Sequence, residues 1–455
     1  MTATYTGTDA ISEARAAGVG PLEYMQQRGF IQDVSDADGL RAAFAAGPVT
    51  FYQGFDPTGP SLHVGHMLGI MMLATLQRFG HRPIALGGGG TALVGDPSGK
   101  TSARALVSEQ DIRSNLEKIL VQFDRHLDFE GGRFGDNPPA ILINNADWLL
   151  ELRYIPFLRD IGRHFSVNEM LTAETYRTRL ETTGLNFVEF NYRIVQAYDF
   201  LHLFRTEGCT LQLGGSDQWG NIVAGVDLVR RVTGDRVHAL TTPLVTKADG
   251  TKFGKTESGT VWLSRELTTP YAFFQFWLNS EDSITPSLLR YFSFRSHEEI
   301  EALEESLRER PQAREAQRAL AEELTDLVHG PGERAKVQAA AQALFGQGEL
   351  AELDAATLDA ALAEAPHAVV PHDEWVQGLS VADALARSGL VASKGAARRT
   401  IAEGGAYVAN VRATDENALL GPDDLLAGRW VLVRRGRRHI GGIRVLGPDE
   451  APPGT

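Results

Sequence analysis

Two histidines three residues apart, His63 and His66, stand where a turn rich in proline and glycine runs into an apolar stretch, Met67–Leu76. This spacing places both imidazoles on one face of a helical turn. Gly65 between them has no side chain, so a flat group can lie against the backbone. A helix start also offers free N–H groups and the positive end of the helix dipole, which together favour an anion. The segment therefore predicts an anion site, although the same pattern also occurs by chance.

A second segment with chemical potential, Lys252–Thr256, follows Lys247–Gly250. Lys252 and Lys255 are three residues apart and have glycine nearby, which suits a mobile loop that closes over a polyphosphate. A lysine is a mobile point charge that can neutralise a leaving pyrophosphate. A solvated charged turn is the alternative interpretation, and the spacing alone leaves both open.

Two familiar nucleotide-binding patterns nearly match but fail on their context. Gly87–Ala92 fits the dinucleotide pattern G-x-G-x-x-A after a strand, but Gly95–Gly99 would stop the helix that such a site requires. Gly99–Thr101 resembles the end of a P-loop, yet Val94 stands where that loop requires glycine. Neither motif is therefore assigned to this chain.

The sequence predicts no metal site. His63 and His66 lack the intervening glutamate and the third ligand of a zinc site. The single cysteine, Cys209, excludes an intrachain disulfide and a cysteine-based zinc site.

Length and composition are those of a globular protein with more than one domain. The 455 residues, 43% of them hydrophobic, suit two or three domains. Residues 1–20 are polar and acidic, unlike a signal peptide. The apolar runs reach about ten residues, short of the roughly 20 that a membrane-spanning helix needs. We therefore expect a cytoplasmic protein without a membrane segment.

The charge is distributed unevenly along the chain. A net charge of −14 argues against non-specific binding of nucleic acid. From Leu379 onward, however, 11 Lys/Arg residues outnumber 8 Asp/Glu residues, which gives +3 there and leaves −17 for the remainder. A basic module on an acidic body favours selective binding of a structured nucleic acid.

Strands that alternate with helices must position the candidate residues. Short β-type runs are predicted at Val49–Tyr52, Arg82–Leu86, Ala140–Ile143, Leu211–Leu213 and Ala239–Val245. Such alternation indicates a parallel α/β sheet, and ligands bind at the carboxyl ends of its strands. The segments rich in Gly, Asp and Asn fall at those ends. The pattern becomes helical after about residue 265, and Leu379–Leu446 reads as a compact module of helices and strands.

His63–His66 and Lys252–Thr256 resemble the HIGH and KMSKS signatures of class I aminoacyl-tRNA synthetases, in the correct order. Four further segments are similar to bacterial tyrosyl-tRNA synthetases: Asp56–Thr58, Gly95–Lys100, Gln196–Phe200 and Gly214–Asn221. The resemblance extends from about residue 20 to 446. Other H-x-G-H nucleotidyltransferases, the related tryptophanyl enzyme and an RNA-binding protein with a relic active site are the alternatives.

The resemblance implies an α/β fold with a fixed domain order. A Rossmann-type catalytic domain is expected over residues 1–265 and an all-α domain on the anticodon side over 266–365. A linker over 366–378 would lead to a small α+β RNA-binding domain at 379–446, which resembles that of a ribosomal small-subunit protein. Residues 447–455 are expected to be disordered.

The activity that the resemblance implies has two steps. Tyrosine attacks the α-phosphate of ATP, and the resulting adenylate then passes tyrosine to the 3′ end of tRNA(Tyr). The enzyme positions reactants and stabilises charge, which explains why no Ser/His/Asp or Cys/His triad is evident. ATP is a substrate, Mg²⁺ is expected with it although no protein ligand is identifiable, and a homodimer is expected.

The resemblance also implies roles for individual residues. The residues implied to make catalytic contacts with the phosphates are His63, His66, Lys252, Lys255 and Thr256. Lys100 and Arg104 are implied as further phosphate contacts. The ATP site comprises Gly54, Asp56, Thr58, Gly65, Gly215, Asp217 and Lys255, with Asp217 on the ribose. The tyrosine site comprises Tyr52, Asp96, Tyr192, Gln196, Asp199 and Gln218, with Thr91 and Asn145 behind them. Within it, Tyr52 and Asp199 reach the substrate phenol.

Contacts with RNA are implied for Lys394, Arg398 and Arg399, on one face of a helix, and for a second basic cluster, Arg434–Arg438. Departures from the family pattern stand near the expected ribose, at Gln53 and Gly69, and in the turn Val408–Val411. The fit of ATP is therefore open at this stage.

Overall fold

The computed structural model describes residues 10–98, 108–182, 184–248, 250–251, 253–256, 259–346, 348, 350, 353–436 and 439–450. The chain divides into two compact units. The first comprises Met1–Leu267 and Leu278–Val328, and the second comprises Thr268–Trp277 and His329–Thr455. No helix in the described ranges is long and apolar enough to cross a membrane.

The first unit is built on a six-stranded sheet within the described residues. Its strands are β1 (Asp33–Val34), β2 (Thr50–Phe55), β3 (Arg82–Gly87), β4 (Ile141–Asn144), β5 (Cys209–Gly215) and β6 (His238–Thr242). The spatial order is β1-β6-β5-β2-β3-β4, parallel throughout except for the edge strand β1. The chain proceeds from β2 to β4 and then returns to the other side of β2 with β5. The strand order therefore reverses between β2 and β5, where parallel α/β sheets bind their ligands.

The first unit also contains α-helices, some of which pack against the sheet. They are α1 (Ala10–Ala16), α2 (Pro21–Gln27), α3 (Ala37–Ala46), α4 (Met67–Arg78), α5 (Thr91–Val94), α6 (Glu109–Leu120), α7 (Ala146–Leu149), α8 (Tyr154–Asp160), α9 (Val167–Thr172), α10 (Glu174–Thr182), α11 (Phe187–Glu207), α12 (Trp219–Thr233), α14 (Thr285–Phe292), α15 (His297–Glu309) and α16 (Glu315–His329). An antiparallel pair, β7 (Lys255–Thr256) and β8 (Gly259–Thr260), follows β6.

Two helices of the first unit carry the site, and their sequences explain their form. Helix α4 is apolar on nearly every side and is buried along almost its whole length. Helix α11 begins with a capping box between Asn186 and Glu189 and ends at Gly208, whose φ of 65° closes the helix. The ends of α11 are therefore fixed by local capping, and both helices pack against strands of the sheet.

The second unit holds a five-stranded sheet in the described part of the chain, in the order β12-β11-β14-β15-β9. Its strands are β9 (His367–Val370), β11 (Ala406–Val408), β12 (Val411–Arg412), β14 (Trp430–Arg435) and β15 (His439–Val445), and a separate pair joins β10 (Leu379–Ser380) to β13 (Leu419–Leu420). The helices are α13 (Pro270–Leu278, of which Leu278 belongs to the first unit), α17 (Glu333–Leu344), α18 (Ala355–Glu364), α19 (His372–Gln377), α20 (Val381–Arg387) and α21 (Lys394–Ala402).

The prediction of a linker at residues 366–378 is wrong. Strand β9 pairs in parallel with β15, and Val370 is fully buried in the core of the second unit. Two prolines and the lack of a periodic pattern hid a four-residue strand, which is too short to show an alternation. The predicted tail falls partly outside the described residues, at 451–455.

The turn at Val408–Val411 has a definite backbone form. Ala409 and Asn410 have φ angles of 42° and 67° and connect β11 to β12. Two central residues with positive φ fit a two-residue hairpin turn, in which asparagine is tolerated well and alanine is not.

Candidate functional site

The hydroxyl of Tyr52 lies at the centre of the candidate site. Tyr52 is on β2, is 1% exposed and packs edge-on against Phe200, with ring centroids 5.4 Å apart. Its hydroxyl is buried and has no hydrogen-bond partner among the described residues. Burial, followed by the nearby charges of Asp199 and Cys209, raises the pKa of this phenol well above its ordinary value. A buried hydroxyl without a partner is unfavourable, so this position suits a polar ligand group.

Asp199 on α11 accepts two hydrogen bonds in the same region. Asn145 Nδ2 donates to one carboxylate oxygen at 2.9 Å, and Trp148 Nε1 donates to the other at 2.8 Å. Burial raises the pKa of Asp199 to about 8, against the opposing effect of these two bonds. Sequence reasoning missed Trp148, because a tryptophan in a helical stretch is indistinguishable from a packing residue.

Asp56 lies between two residues of the candidate amino-acid site. Its carboxylate accepts from Thr91 Oγ1 at 2.8 Å and from Tyr192 Oη at 3.0 Å. Burial and then Asp56 raise the pKa of Tyr192 well above its ordinary value. Asp56 was predicted for ATP, and the structure places it where it orients Tyr192. Its predicted contact with ATP stays a prediction.

Asp96 is held by a second set of hydrogen bonds. Gln218 Nε2 donates to one oxygen at 2.8 Å, and the Ser98 amide donates to the other at 2.9 Å. On α11, Gln196 follows Tyr192 by four residues, which is one helical turn. The side-chain oxygen of Gln196 is buried without a partner in the described ranges. Carboxylate and amide oxygens of this kind are acceptors for an ammonium group.

The histidine pair forms the other side of the candidate site. Residues Val64–His66 make a 3₁₀ turn that leads into α4. His63 Nδ1 accepts from the Gly65 amide at 3.1 Å, and His66 Nδ1 accepts from the His63 amide at 3.2 Å. The rings stack with centroids 3.8 Å apart. In both neutral imidazoles the proton then lies on Nε2, which makes each ring a donor suited to a phosphate oxygen.

The lysine-containing segment packs directly on this histidine turn. Gly254 has a φ of 95°, and a Cβ there would lie 2.6 Å from Val64 Cγ2. The Val64 amide donates to the Val261 carbonyl at 3.1 Å, and the Val261 amide donates to the Gly254 carbonyl at 3.0 Å. The two signatures, about 190 residues apart in sequence, are therefore neighbours through their backbones. A glycine is required at 254 both by its φ and by this close approach.

Some predicted phosphate contacts lie beyond what the structure describes. Lys100, Arg104 and Lys252 are outside the described residues, and for Lys255 and Thr256 only the backbone of β7 is described. Their roles stay predictions.

The remaining candidates for the ATP site lie near the ends of β2 and β5. Gly54 is exposed, and a Cβ there would meet only Leu86 at 3.9 Å, so the fold itself does not require glycine. Asp217 lies in the 3₁₀ turn Ser216–Gln218, and a Cβ on Gly215 would lie 2.7 Å from its carboxylate. Thr58 is exposed, and its amide donates to the Asp56 carbonyl at 2.8 Å.

The two departures near the expected ribose, Gln53 and Gly69, are in contact with each other. A Cβ on Gly69 would lie 2.0 Å from Gln53 Nε2, so the glutamine side chain fills the space that glycine leaves on α4. The side-chain oxygen of Gln53 is buried without a hydrogen-bond partner among the described residues. The two departures are therefore one complementary change.

Three basic residues of the second unit were predicted to contact RNA, and all three are exposed on one helix. Lys394, Arg398 and Arg399 are exposed on α21, where Lys394 pairs with Asp383 at 2.8 Å and Arg398 with Glu416 at 3.7 Å.

The interpretation of Arg434–Arg438 as an exposed basic cluster is wrong at its first residue. Arg434 is 5% exposed and donates to Asn410 Oδ1 at 2.6 Å. Five consecutive residues of β14, Trp430–Arg434, are buried, so both faces of the strand are covered and the arginine is buried with its neighbours. Arg437 and Arg438 lie outside the described residues.

No group of three His, Cys, Asp or Glu side chains in the described ranges could hold a metal ion.

The parallel sheet, the strand-order reversal and the adjoining histidine and lysine signatures define a class I aminoacyl-tRNA synthetase. The family model described as class I tRNA synthetases for tryptophan and tyrosine matches residues 45–346, and that of a tyrosine–tRNA ligase C-terminal domain matches 360–440. Tyrosine–tRNA ligase of Streptomyces coelicolor is 53% identical over 428 residues, which cover 94% of this chain and 99% of that relative. The ligase of Thermobifida fusca is 54% identical over 93% of this chain and 98% of that relative.

Solved structures agree with these sequence comparisons. A C-terminally truncated mitochondrial tyrosyl-tRNA synthetase of Aspergillus nidulans is 31% identical, with a TM-score of 0.64 over 72% of this chain and 95% of that one. A tryptophanyl-tRNA synthetase of Encephalitozoon cuniculi shares the fold at 13% identity and a TM-score of 0.51, over 72% of this chain and 91% of that one. The chain belongs to the tyrosine–tRNA ligase family within the class I synthetases.

Proposed function

We propose that the chain activates L-tyrosine with ATP, which yields tyrosyl-adenylate and pyrophosphate, and then transfers tyrosine to the 3′ end of tRNA(Tyr). One observation carries the choice of amino acid. The Tyr52 hydroxyl is buried without a partner beside Asp199, whose carboxyl is itself buried. The phenol of a bound tyrosine would donate or accept at this point, whereas phenylalanine would leave the polar groups unpaired. An unpaired buried group costs about 1–3 kcal/mol.

Amino-acid-dependent exchange of pyrophosphate into ATP, measured across twenty amino acids, tests this function. We expect exchange with tyrosine and very little with phenylalanine or tryptophan. Tyr52→Phe should raise the relative rate with phenylalanine, because the buried hydroxyl is gone. Tyr198→Phe is the matched control, since it removes the same hydroxyl from a tyrosine on α11 that packs against Phe157. Unchanged selectivity in Tyr52→Phe would remove the phenol pair from the proposal.

The remaining residues of the candidate site have roles that follow from their chemistry. The tyrosine carboxylate is the nucleophile, so the protein holds reactants and stabilises charge. Asp96, Tyr192 and Gln196 would hold the ammonium group, and Gln218 lies near the carboxylate. Their acceptor atoms, two of them already oriented by hydrogen bonds, support this assignment.

The nucleotide would lie between the ends of β2 and β5 and the histidine turn. His63 and His66 would donate from Nε2 to phosphate oxygens, Gly65 would lie under the base, and Asp217 would accept from the ribose. Lys252, Lys255 and Thr256 would close on the departing pyrophosphate. Gly54, Asp56, Thr58 and Gly215 would border the nucleotide. Mg²⁺ would arrive bound to ATP, and its charge would neutralise the phosphates.

The basic face of α21 is our candidate for contact with tRNA. Lys394, Arg398 and Arg399 are exposed together, as contacts with phosphates require. The double change Arg398→Glu and Arg399→Glu should weaken tRNA charging and leave pyrophosphate exchange unchanged. Arg429→Glu, in the same unit but outside α21, is the control. Equal charging by the double variant and the control would exclude this face.

A second copy of the chain is the proposed occupant of an apolar surface between α7 and the start of α11. Six large apolar side chains there are more than half exposed: Leu150 (55%), Tyr154 (61%), Ile155 (69%), Val167 (57%), Leu180 (51%) and Phe187 (66%). Exposed apolar side chains concentrated in one stretch of a folded protein mark an interface, and a symmetric dimer uses the same patch twice.

Light scattering on the purified chain tests the homodimer. We expect the mass of a dimer, and Ile155→Glu should shift it toward the monomer. Val376→Glu is the control, because Val376 is 70% exposed in the second unit. A monomer at micromolar concentration would contradict the proposal. We place the activity in the cytoplasm, where cell fractionation should recover it with the tRNA pool.

A further inference from the structure

Arg193 on α11 is a buried cation next to the candidate amino-acid site. It directly follows Tyr192, is 8% exposed, and has no carboxylate within 4.0 Å among the described residues. Its guanidinium lies 4.8 Å from the centre of the Tyr176 ring, and burial lowers its pKa. A buried charge without an ion pair is costly, so its presence requires a reason.

A chain of hydrogen bonds leads from Arg193 to Asp96. Arg193 Nε donates to Asn221 Oδ1 at 3.4 Å. Asn221 Nδ2 donates to Gln218 Oε1 at 3.2 Å, and Gln218 Nε2 donates to Asp96 Oδ2 at 2.8 Å. Asn221 Nδ2 also donates to Ser98 Oγ at 3.2 Å. The backbone amide of Ser98 in turn donates to Asp96 Oδ1.

This chain has a direction that its two ends impose. A guanidinium only donates hydrogen bonds, and a carboxylate only accepts them. The two side-chain amides between them, of Asn221 and Gln218, can each point either way. If either amide were turned over, an N–H would face an N–H or an oxygen would face an oxygen. Arg193 at one end and Asp96 at the other therefore select the same orientation, in which an N–H of Gln218 faces Asp96.

We propose that Arg193 is a positioning residue for the amino-acid site, which acts through Asn221 and Gln218 to hold the Asp96 carboxylate in one orientation. This role rests on the proposed assignment of Asp96 and Gln218 to bound tyrosine. With Arg193 absent, Asn221 is no longer oriented from that end. A reversed Asn221 would set its own oxygen against Gln218 Oε1, which weakens the hold of Gln218 on Asp96. The consequence falls on tyrosine and not on ATP, because Asp96 and Gln218 are assigned to the amino acid and no member of the chain is among the residues assigned to ATP.

The surroundings of Arg193 supply a control for this role. A small cavity of about 50 Å³ is lined by Arg193 together with His164, Glu169, Asp227 and Arg231. Arg231 is another arginine of this cavity, and it bonds the His164 carbonyl instead of Asn221. Arg231→Met therefore removes one positive charge from the cavity and leaves the hydrogen bond between Arg193 and Asn221 in place.

Steady-state pyrophosphate exchange by the full chain tests the proposal. Arg193→Met should raise the KM for tyrosine about tenfold, as expected for loss of a hydrogen bond from a charged donor, with the KM for ATP within twofold of the parent. Arg193→Lys keeps a donor and should recover most of the effect, whereas Arg231→Met should change neither KM. In a Gln218→Ala background, Arg193→Met should have no further effect on tyrosine. A tyrosine KM within twofold of the parent, or an effect that multiplies with Gln218→Ala, would overturn the proposal.

Two further variants separate the possible failures. If Asp96→Asn leaves the tyrosine KM unchanged, the assignment of the site is wrong and the relay falls with it. If Asp96→Asn raises that KM but Arg193→Met does not, only the relay is wrong. Should Arg193→Met fail to fold, Asn221→Ala decides instead, since it breaks the chain and leaves the arginine in place; an unchanged tyrosine KM would then exclude the relay.

Discussion

The contact between Gln53 and Gly69 predicts that Gly69→Ala destabilises the parent chain but stabilises a chain that has alanine at position 53. In Gly69→Ala, the new Cβ would lie 2.0 Å from Gln53 Nε2, whereas ordinary contact begins at 3.4 Å, so the amide must move by about 1.4 Å. Overpacking in a buried site costs about 1–3 kcal/mol. Alanine is favoured over glycine within a helix by about 1 kcal/mol. We therefore expect the parent chain to lose about 1 kcal/mol of unfolding free energy.

Removal of the glutamine side chain should reverse this sign. In Gln53→Ala the three atoms nearest to the new Cβ at position 69 are gone, so we expect Gly69→Ala to retain its helix-forming gain of about 1 kcal/mol. The coupling between the two positions is then about 2 kcal/mol, well above the 0.5 kcal/mol scatter of independent sites. Gly395→Ala on α21 is the control, because a Cβ there meets only Ser393 Oγ at 3.9 Å.

Urea unfolding of the four combinations at these two positions measures the coupling. Circular dichroism should show the stability changes as shifts of the urea midpoint, with the same dependence of unfolding free energy on urea concentration in all four variants. The KM for ATP should rise in Gly69→Ala and fall back in the double variant, because residue 69 lies one helical turn after Gly65. If Gly69→Ala changes the unfolding free energy equally in both backgrounds, the complementary packing of the two residues is refuted.

The other predictions concern protonation, backbone strain and the lysine loop. Because burial raises the folded-state pKa of Asp199 to about 8 from an ordinary 3.8, its stabilising contribution is complete below pH 3.8 and is lost as the pH rises through 8; pH-dependent unfolding of Asp199→Asn should lack this slope. His81 and His126 have folded-state pKa values lowered by burial to about 4 from 6.5, so their contribution is present above pH 6.5 and is lost as the pH falls through 4. Unfolding measured over that range should show a loss of up to about 3 kcal/mol for each histidine. Ala409 has a φ of 42°, which is strained for a residue with a Cβ. Ala409→Gly removes this strain and should stabilise the hairpin by about 1 kcal/mol, which raises the midpoint of thermal unfolding. Lys255→Ala should slow adenylate formation in a pre-steady-state assay far more than it weakens tyrosine binding, and equal effects would contradict a transition-state role.

The resemblance of short motifs to known signatures was sufficient to identify the class of protein, and local patterns indicated the layout of its catalytic part. His63–His66 before an apolar helix and Lys252–Thr256 beside glycine are short motifs whose chemistry depends on neighbours in sequence. Alternating strands and helices predicted the parallel sheet, which the structure confirms, and the comparisons confirm the family. The physical basis is short range, because helix starts, turns and strand periodicity are set within a few residues.

Tertiary packing alone decided which side chains meet. Asp56 and Tyr192 are 136 residues apart in sequence and share a hydrogen bond, and no local pattern distinguishes that aspartate from one that faces ATP. Trp148 on α7 donates to Asp199 on α11, a pairing between two helices that no local pattern predicts.

The same limit explains the errors and the contact at Gly69. The segment 366–378 resembles a linker until β15 offers β9 a partner, and Arg434 resembles an exposed charge until Asn410 accepts from it. Gln53 and Gly69 were separate departures in sequence, and only the approach of β2 to α4 makes them one complementary pair. The sequence by itself determined the chemistry and the order of the motifs; burial, amide orientation and the pairing of distant polar groups depend on long-range contacts, and these exist only in the folded chain.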